Sequence, residues 1–185
     1  MMPFSHMKSF LDRFRKDTSG TVAVETVILV PILFWAFLAT IMFFDLYKSR
    51  SAADKAAFTI SDMLSRETVA INQTYLDNTL DLFNNLARSD GPTSLRVSVF
   101  TYSKKGNKYR LDWSHASGGA QTLSNTDLPT YVPNIPTLLS GERLILVETF
   151  GRYDSPIDIG IGALDINTFV FTRPRFAPLL AWERV

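Results

Sequence analysis

The chain has no cysteine and only two histidines in 185 residues. The first absence removes disulfides, iron-sulfur clusters, thiolate zinc sites and a cysteine nucleophile together. The second leaves His6 in the leader and His115 in an expected strand, too few for a His-rich metal site or a HExxH zinc helix. Net charge is also lacking: 19 basic residues stand against 18 acidic ones, so no global field draws in nucleic acid or an anionic substrate. There is no GxSxG elbow, Walker loop or kinase signature, and the acidic residues are scattered rather than paired. The Gly160-Ile161-Gly162 run lacks the third glycine and following helix of a dinucleotide fingerprint. These absences point away from an enzyme, from a cofactor and from a nucleic-acid partner.

What is present is one long apolar stretch. Between Thr26 and Phe44 there is no charged residue, and about 20 apolar residues rising about 1.5 Å each cross roughly 30 Å of hydrocarbon. Glu25 stands where this span begins, and a carboxylate inside a membrane costs on the order of 3 kcal/mol unless something compensates it. Before the span, Lys8, Arg13, Arg15 and Lys16 outweigh Asp12 and Asp17, which by the positive-inside rule keeps the short tail cytoplasmic. Lys48, Arg50 and Lys55 flank the other end and narrow that contrast. A cleavable secretory signal ending at Ser51-Ala52-Ala53 fits poorly, because the apolar run far exceeds the usual h-region. Pro31 within the span is tolerated in a membrane and predicts a kink. Tyr47 suits the outer interface, whereas Trp35 lies mid-span.

The junction Gly20, Thr21, Val22, Ala23, Val24, Glu25 places a glycine five residues ahead of a glutamate, at the mouth of an unbroken apolar helix. With Arg13 to Lys16 in front and Ile28 to Trp35 behind, this region resembles the class III signal peptides of type IV pilin-like proteins. It is most similar to the TadE-like pseudopilins of tight-adherence (Flp) pilus systems. Arg173-Pro174-Arg175 adds a general likeness, and Thr26 departs from the aromatic residue that relatives often carry after the glutamate. The resemblance implies an α+β pilin-like fold, in which a long N-terminal transmembrane helix continues into a helical region packed on an antiparallel β-sheet. It implies cleavage between Gly20 and Thr21 by a membrane-embedded prepilin peptidase. Its implied partners are an inner-membrane assembly platform, other pseudopilins and the major pilin.

The residues themselves are compatible with that processing. A glycine gives side-chain-free backbone that can extend into a peptidase cleft. A cut there would give Thr21 a free amine near Glu25, and such an amine on a neighbouring helix can serve as counter-charge where unpaired charge is strongly disfavoured. In an ordinary signal anchor, Glu25 would instead sit hydrated at headgroup level.

Beyond the membrane, Ala53, Ala56, Ala57, Ile60 and Leu64 recur at helical spacing and predict that the helix continues. A second helix is expected over residues 72–87, with Leu76, Leu80, Phe83 and Ala87 on one face and Asn72 as cap. Ser89-Asp90-Gly91-Pro92 ends the helices. Leu95, Val97 and Val99 then alternate with Arg96 and Ser98, and Tyr109, Leu111 and Trp113 with Lys108, Arg110 and Asp112, on either side of a turn at 104–107. That hairpin tip joins Lys104, Lys105 and Lys108 to Tyr102 and Tyr109, a charge-plus-stacking combination that equally describes a solvated turn. Residues 116–140, with Pro129, Pro133 and Pro136, read as a long surface loop. Leu144 to Val147 predict an interior strand leading to Phe150 and Tyr153, and Phe169 to Phe171 a last strand stopped by Pro174.

The expected organisation is a basic cytoplasmic leader (1–20), a transmembrane helix (21–47), an extracytoplasmic helical region (48–90) and a β-rich extracytoplasmic domain (91–185). By resemblance, the function is that of a minor pseudopilin in a bacterial inner membrane, N-terminus inside and C-terminal domain periplasmic. The site residues are Gly20 and Thr21 for processing and Glu25 for assembly register. Two other classes remain in view: a tethered binding or sensory module using residues 116–140, and an anchored envelope hydrolase, which would need a pocket with converging catalytic groups.

Overall fold

The computed structural model describes residues 12–16, 20–89, 91–104, 106, 108–155, 160 and 162–183. His6, Lys8, Asp17, Asp90, Lys105, Asn107 and Ile161, invoked above, lie outside the described residues. The chain divides into two compact units, Met1–Phe43 and Phe44–Val185.

The first unit is dominated by the opening half of helix α1 (Thr21–Arg66), which runs unbroken through Pro31. Every side chain described from residue 22 to 37 is exposed, including Val22, Leu33, Trp35 and Phe37. A helix that is apolar all round belongs in lipid or in a core. Among the described residues this is the one helix long and apolar enough to cross a membrane.

The second unit, the head, is an α+β fold. Its helices are the later turns of α1 and α2 (Gln73–Ala87), and its strands are β1 (Thr93–Ser103), β2 (Lys108–Ser117), β3 (Arg143–Tyr153) and β4 (Leu164–Thr172). Among the described residues these strands form one antiparallel sheet in the order β2-β1-β3-β4. Ala53, Ala56, Ile60 and Leu64 of α1 meet Leu76, Leu80, Phe83 and Ala87 of α2 over Leu95, Val97, Val99, Ile145 and Val147 of the sheet. Three- and four-residue spacing puts each helical set on one face, and period-two spacing does the same for the strand residues. Helix α2 begins where expected: the Asn72 side chain accepts a hydrogen bond from the Tyr75 backbone N–H at 3.0 Å, a cap worth about 1 kcal/mol.

Two expectations are corrected. Residues 116–140 are not merely a surface loop. Strand β2 extends to Ser117, and a short helix α3 (Leu128–Tyr131) and a 3₁₀ turn (Val132–Asn134) follow. Leu123, Leu128, Ile135 and Leu138 are buried against Phe100, Leu144 and Leu146, on the sheet face opposite the helices. The sheet is therefore covered on both sides, which is why all of residues 95–100 are buried although their sequence alternates.

The second correction concerns β2. Register slips between Val99, paired with Trp113, and Phe100, paired with Leu111, so Asp112 is the extra residue of a β-bulge. Trp113 packs with the helices, whereas Tyr109 and Leu111 pack on the far side with the α3 layer. Simple alternation had put all of them on one face.

Gly118 closes this strand in left-handed backbone at φ 76°. A Cβ there would overlap the Thr93 carbonyl oxygen and reach within 2.9 Å of the Ser94 Cα. Left-handed backbone alone costs an L-residue roughly 1–2 kcal/mol, so Gly118→Ala should lower stability by at least about 2 kcal/mol. Urea unfolding of the detergent-solubilised chain measures it, with Gly119→Ala, φ 90° but with nothing near its Cβ, separating backbone strain from overlap.

Candidate functional site

At the start of α1, Gly20 sits in a turn and its carbonyl accepts the first helical hydrogen bond, from Val24 N–H at 3.1 Å. A Cβ placed on Gly20 would meet nothing within 4 Å, so the junction is open to approach. Thr21 is the first helical residue, and Glu25 lies one turn on, exposed. Among the described residues no ion pair reaches Glu25. The neighbouring hydroxyls are satisfied within the helix, Thr26 donating to Val22 O at 2.7 Å and Thr40 to Ala36 O at 2.8 Å, which makes them tolerable in hydrocarbon. From residue 22 to 44 the helix thus presents one carboxylate on an otherwise uncharged surface.

The other sequence candidates sort differently. His115 is stacked on Trp182, ring centroids 3.6 Å apart and planes 8° apart, and burial holds its pKa below the usual histidine value. It is a packed imidazole, and no group of side chains suited to hold a metal ion occurs among the described residues. At the hairpin tip Lys104 and Lys108 are exposed, but Tyr102 and Tyr109 lie 5.1 Å apart and pack onto the α3 layer. The described lysines therefore carry no free aromatic platform beside them.

Two clusters were invisible in the sequence. In the first, Arg96 on β1 faces Glu148 on β3, directly opposite in register. Arg96 Nε and Nη2 donate to the two Glu148 oxygens at 2.8 Å each, Nη1 to Gln121 O at 2.8 Å and Nη2 to Tyr131 Oη at 2.7 Å. The guanidinium also packs against the Tyr131 and Phe150 rings. The group pins residues 121–131 to the sheet. Alternation alone reads Arg96 as a solvent-facing residue; only its register against Glu148 reveals the pair.

The second cluster lies where α1 enters the head. Tyr153 Oη donates to Asp45 at 2.7 Å, and burial, then the adjacent carboxylate, push the phenol up to about 12. Beside them is a cavity of about 420 Å³ whose lining includes Lys48, Arg88 and Arg152. Arg88 follows α2 directly and takes the left-handed C-cap conformation, φ 53°, usually a glycine's place.

The fold and these sites define a class: an α+β head carried on a helix of membrane-anchor length and composition. No protein-family model matches the chain, and no curated protein is significantly similar to it.

Proposed function

We propose that this protein is a minor pseudopilin, or pilus assembly subunit, of a tight-adherence type pilus. It is held in a bacterial inner membrane with its basic tail cytoplasmic and its head periplasmic. The observation that carries the reading is the junction itself: an accessible Gly20, helix from Thr21, and Glu25 as the lone carboxylate of an apolar stretch that is exposed from residue 22 to 37. A helix that joins the head's core from Ala53 onward and is exposed all round from residue 22 to 37 has two kinds of surroundings to use, lipid before assembly and neighbouring helices after it. Glu25 is the group that distinguishes them. In lipid it is a burden, and beside a partner's new Thr21 amine it becomes half of an ion pair. Prepilin peptidase, the assembly platform, sister pseudopilins and the major pilin are the partners this role requires.

Processing is the direct test. In cells with their own prepilin peptidase, intact-mass analysis of membrane-extracted protein should find Thr21 as the first residue. In a peptidase-deficient strain, residues 1–20 should remain. A full-length chain in both strains would remove the pseudopilin reading and leave a tethered module.

A further inference from the structure

We infer that the end of the head at which α1 enters it binds the phosphate of an anionic phospholipid. The site is the cavity of about 420 Å³ between the head portion of α1, the C-terminal end of α2 and the end of β3. Its cations are Lys48, Arg88 and Arg152. Its two lining carboxylates are already engaged, Asp45 by the Tyr153 hydroxyl at 2.7 Å and Asp154 by Arg152 Nε at 3.3 Å. Lys48 and Arg88 have no ion pair among the described residues. The lining carries three cations against two carboxylates, and a phosphate between Lys48 and Arg88 would accept charge-assisted hydrogen bonds from both. The helix cap adds to this arrangement: the Arg88 backbone N–H is committed to Asn84 O, which fixes the residue at the cavity mouth.

Depth and lining favour a lipid over free phosphate. Asp45 directly follows Phe44, the end of the uncharged run, and Lys48 is one turn, about 5 Å, further along the helix. Headgroup layers are several Å thick on each side of the hydrocarbon. Chain connectivity therefore sets Lys48 at headgroup depth. The cavity is also lined by Ala52, Ala53, Phe83 and Ile166, apolar surface that suits a glycerol backbone and not a hydrated inorganic ion. The site requires the anchor, but neither cleavage nor pilus assembly.

The test uses the full-length chain in nanodiscs of phosphatidylcholine with a minority of phosphatidylglycerol, released into mild detergent for native mass spectrometry of retained lipid. Wild type should retain phosphatidylglycerol selectively. Each of Lys48→Gln and Arg88→Gln should reduce retention about fivefold, the factor equivalent to about 1 kcal/mol per cation at a membrane surface. Lys104→Gln, on the β1–β2 turn, should match wild type, and excess inorganic phosphate should displace nothing. Equal retention by wild type and the two variants overturns the proposal, and so does displacement by inorganic phosphate. Far-UV circular dichroism of each variant identifies misfolding. If one variant unfolds, the other alone carries the same fivefold expectation.

Discussion

Glu148→Ala should lower the unfolding free energy of the head by about 3 to 5 kcal/mol, and Arg96→Ala by a similar amount. The side chains are only 10% and 6% exposed, so either truncation strands a charge without water to solvate it. The Arg96 guanidinium has four hydrogen bonds, to both Glu148 oxygens, Gln121 O and Tyr131 Oη. Removing the carboxylate leaves that cation confined near the Tyr131 and Phe150 rings, with half of its bonds gone. Replacing both residues by apolar ones of similar volume, Arg96→Met with Glu148→Leu, should be far milder than either single truncation, because no charge is left behind. Urea unfolding of the detergent-solubilised chain measures all three. A double variant as unstable as the singles would show that the damage comes from the loss of the hydrogen-bonded group itself and not from an orphaned charge. The pair also links β1 and β3 to residues 121–131, so loosening should begin there, seen as faster amide exchange.

For the proposed role in pilus assembly, the largest effect should come from Glu25. An ordinary signal anchor tolerates Glu25→Ala, since taking a carboxylate from the edge of hydrocarbon removes a penalty of up to about 3 kcal/mol. An assembling subunit does not, because the mutant leaves a neighbour's Thr21 amine without its counter-charge, and breaking a buried pair commonly costs about 3 to 5 kcal/mol. At about 1.4 kcal/mol per tenfold, that is a loss of two orders of magnitude or more in subunit docking. The expected pattern is normal membrane abundance, normal cleavage and no pili, for both Glu25→Ala and Glu25→Gln. Piliation at wild-type level from both variants would refute the pairing role. Loss of abundance would instead indicate a folding or insertion defect, which the exposed position of Glu25 argues against.

The helix side of the head was legible because its code is local. Ala53, Ala56, Ile60 and Leu64, and then Leu76, Leu80, Phe83 and Ala87, recur at three- and four-residue intervals, and all lie in the core. Asn72 caps the second helix for the same local reason. The far side of the sheet was not legible, because what covers it is specified by partners distant in sequence. Leu123, Leu128, Ile135 and Leu138 are separated by turn-forming residues without a period, and they make sense only once Phe100, Leu144 and Leu146 lie beneath them. Arg96 and Glu148, likewise, are 52 residues apart. At the candidate site the division is similar. Gly20, Thr21 and Glu25 stand together in the chain and could be named from it, whereas the cavity at Lys48 draws its cations from α1, α2 and β3 and exists only after folding.

The bulge at Asp112 works on β2 as an inserted letter works on a reading frame. Upstream of it, odd-numbered Tyr109 and Leu111 serve the α3 layer; downstream, odd-numbered Trp113 serves the helices, its indole N–H bonded to Leu180 O at 2.9 Å. One residue thus lets a single strand supply two cores with the same parity of positions. The Asp112 side chain holds the insertion in place through Thr101, through Arg143 Nε at 3.0 Å and through Arg110 Nη2 at 3.1 Å. Deleting it would leave composition and charge almost untouched, yet every side chain on one flank would change its neighbours. Length is therefore the conserved quantity of this strand, in the sense that substitutions within it perturb one contact while a one-residue deletion exchanges an entire face.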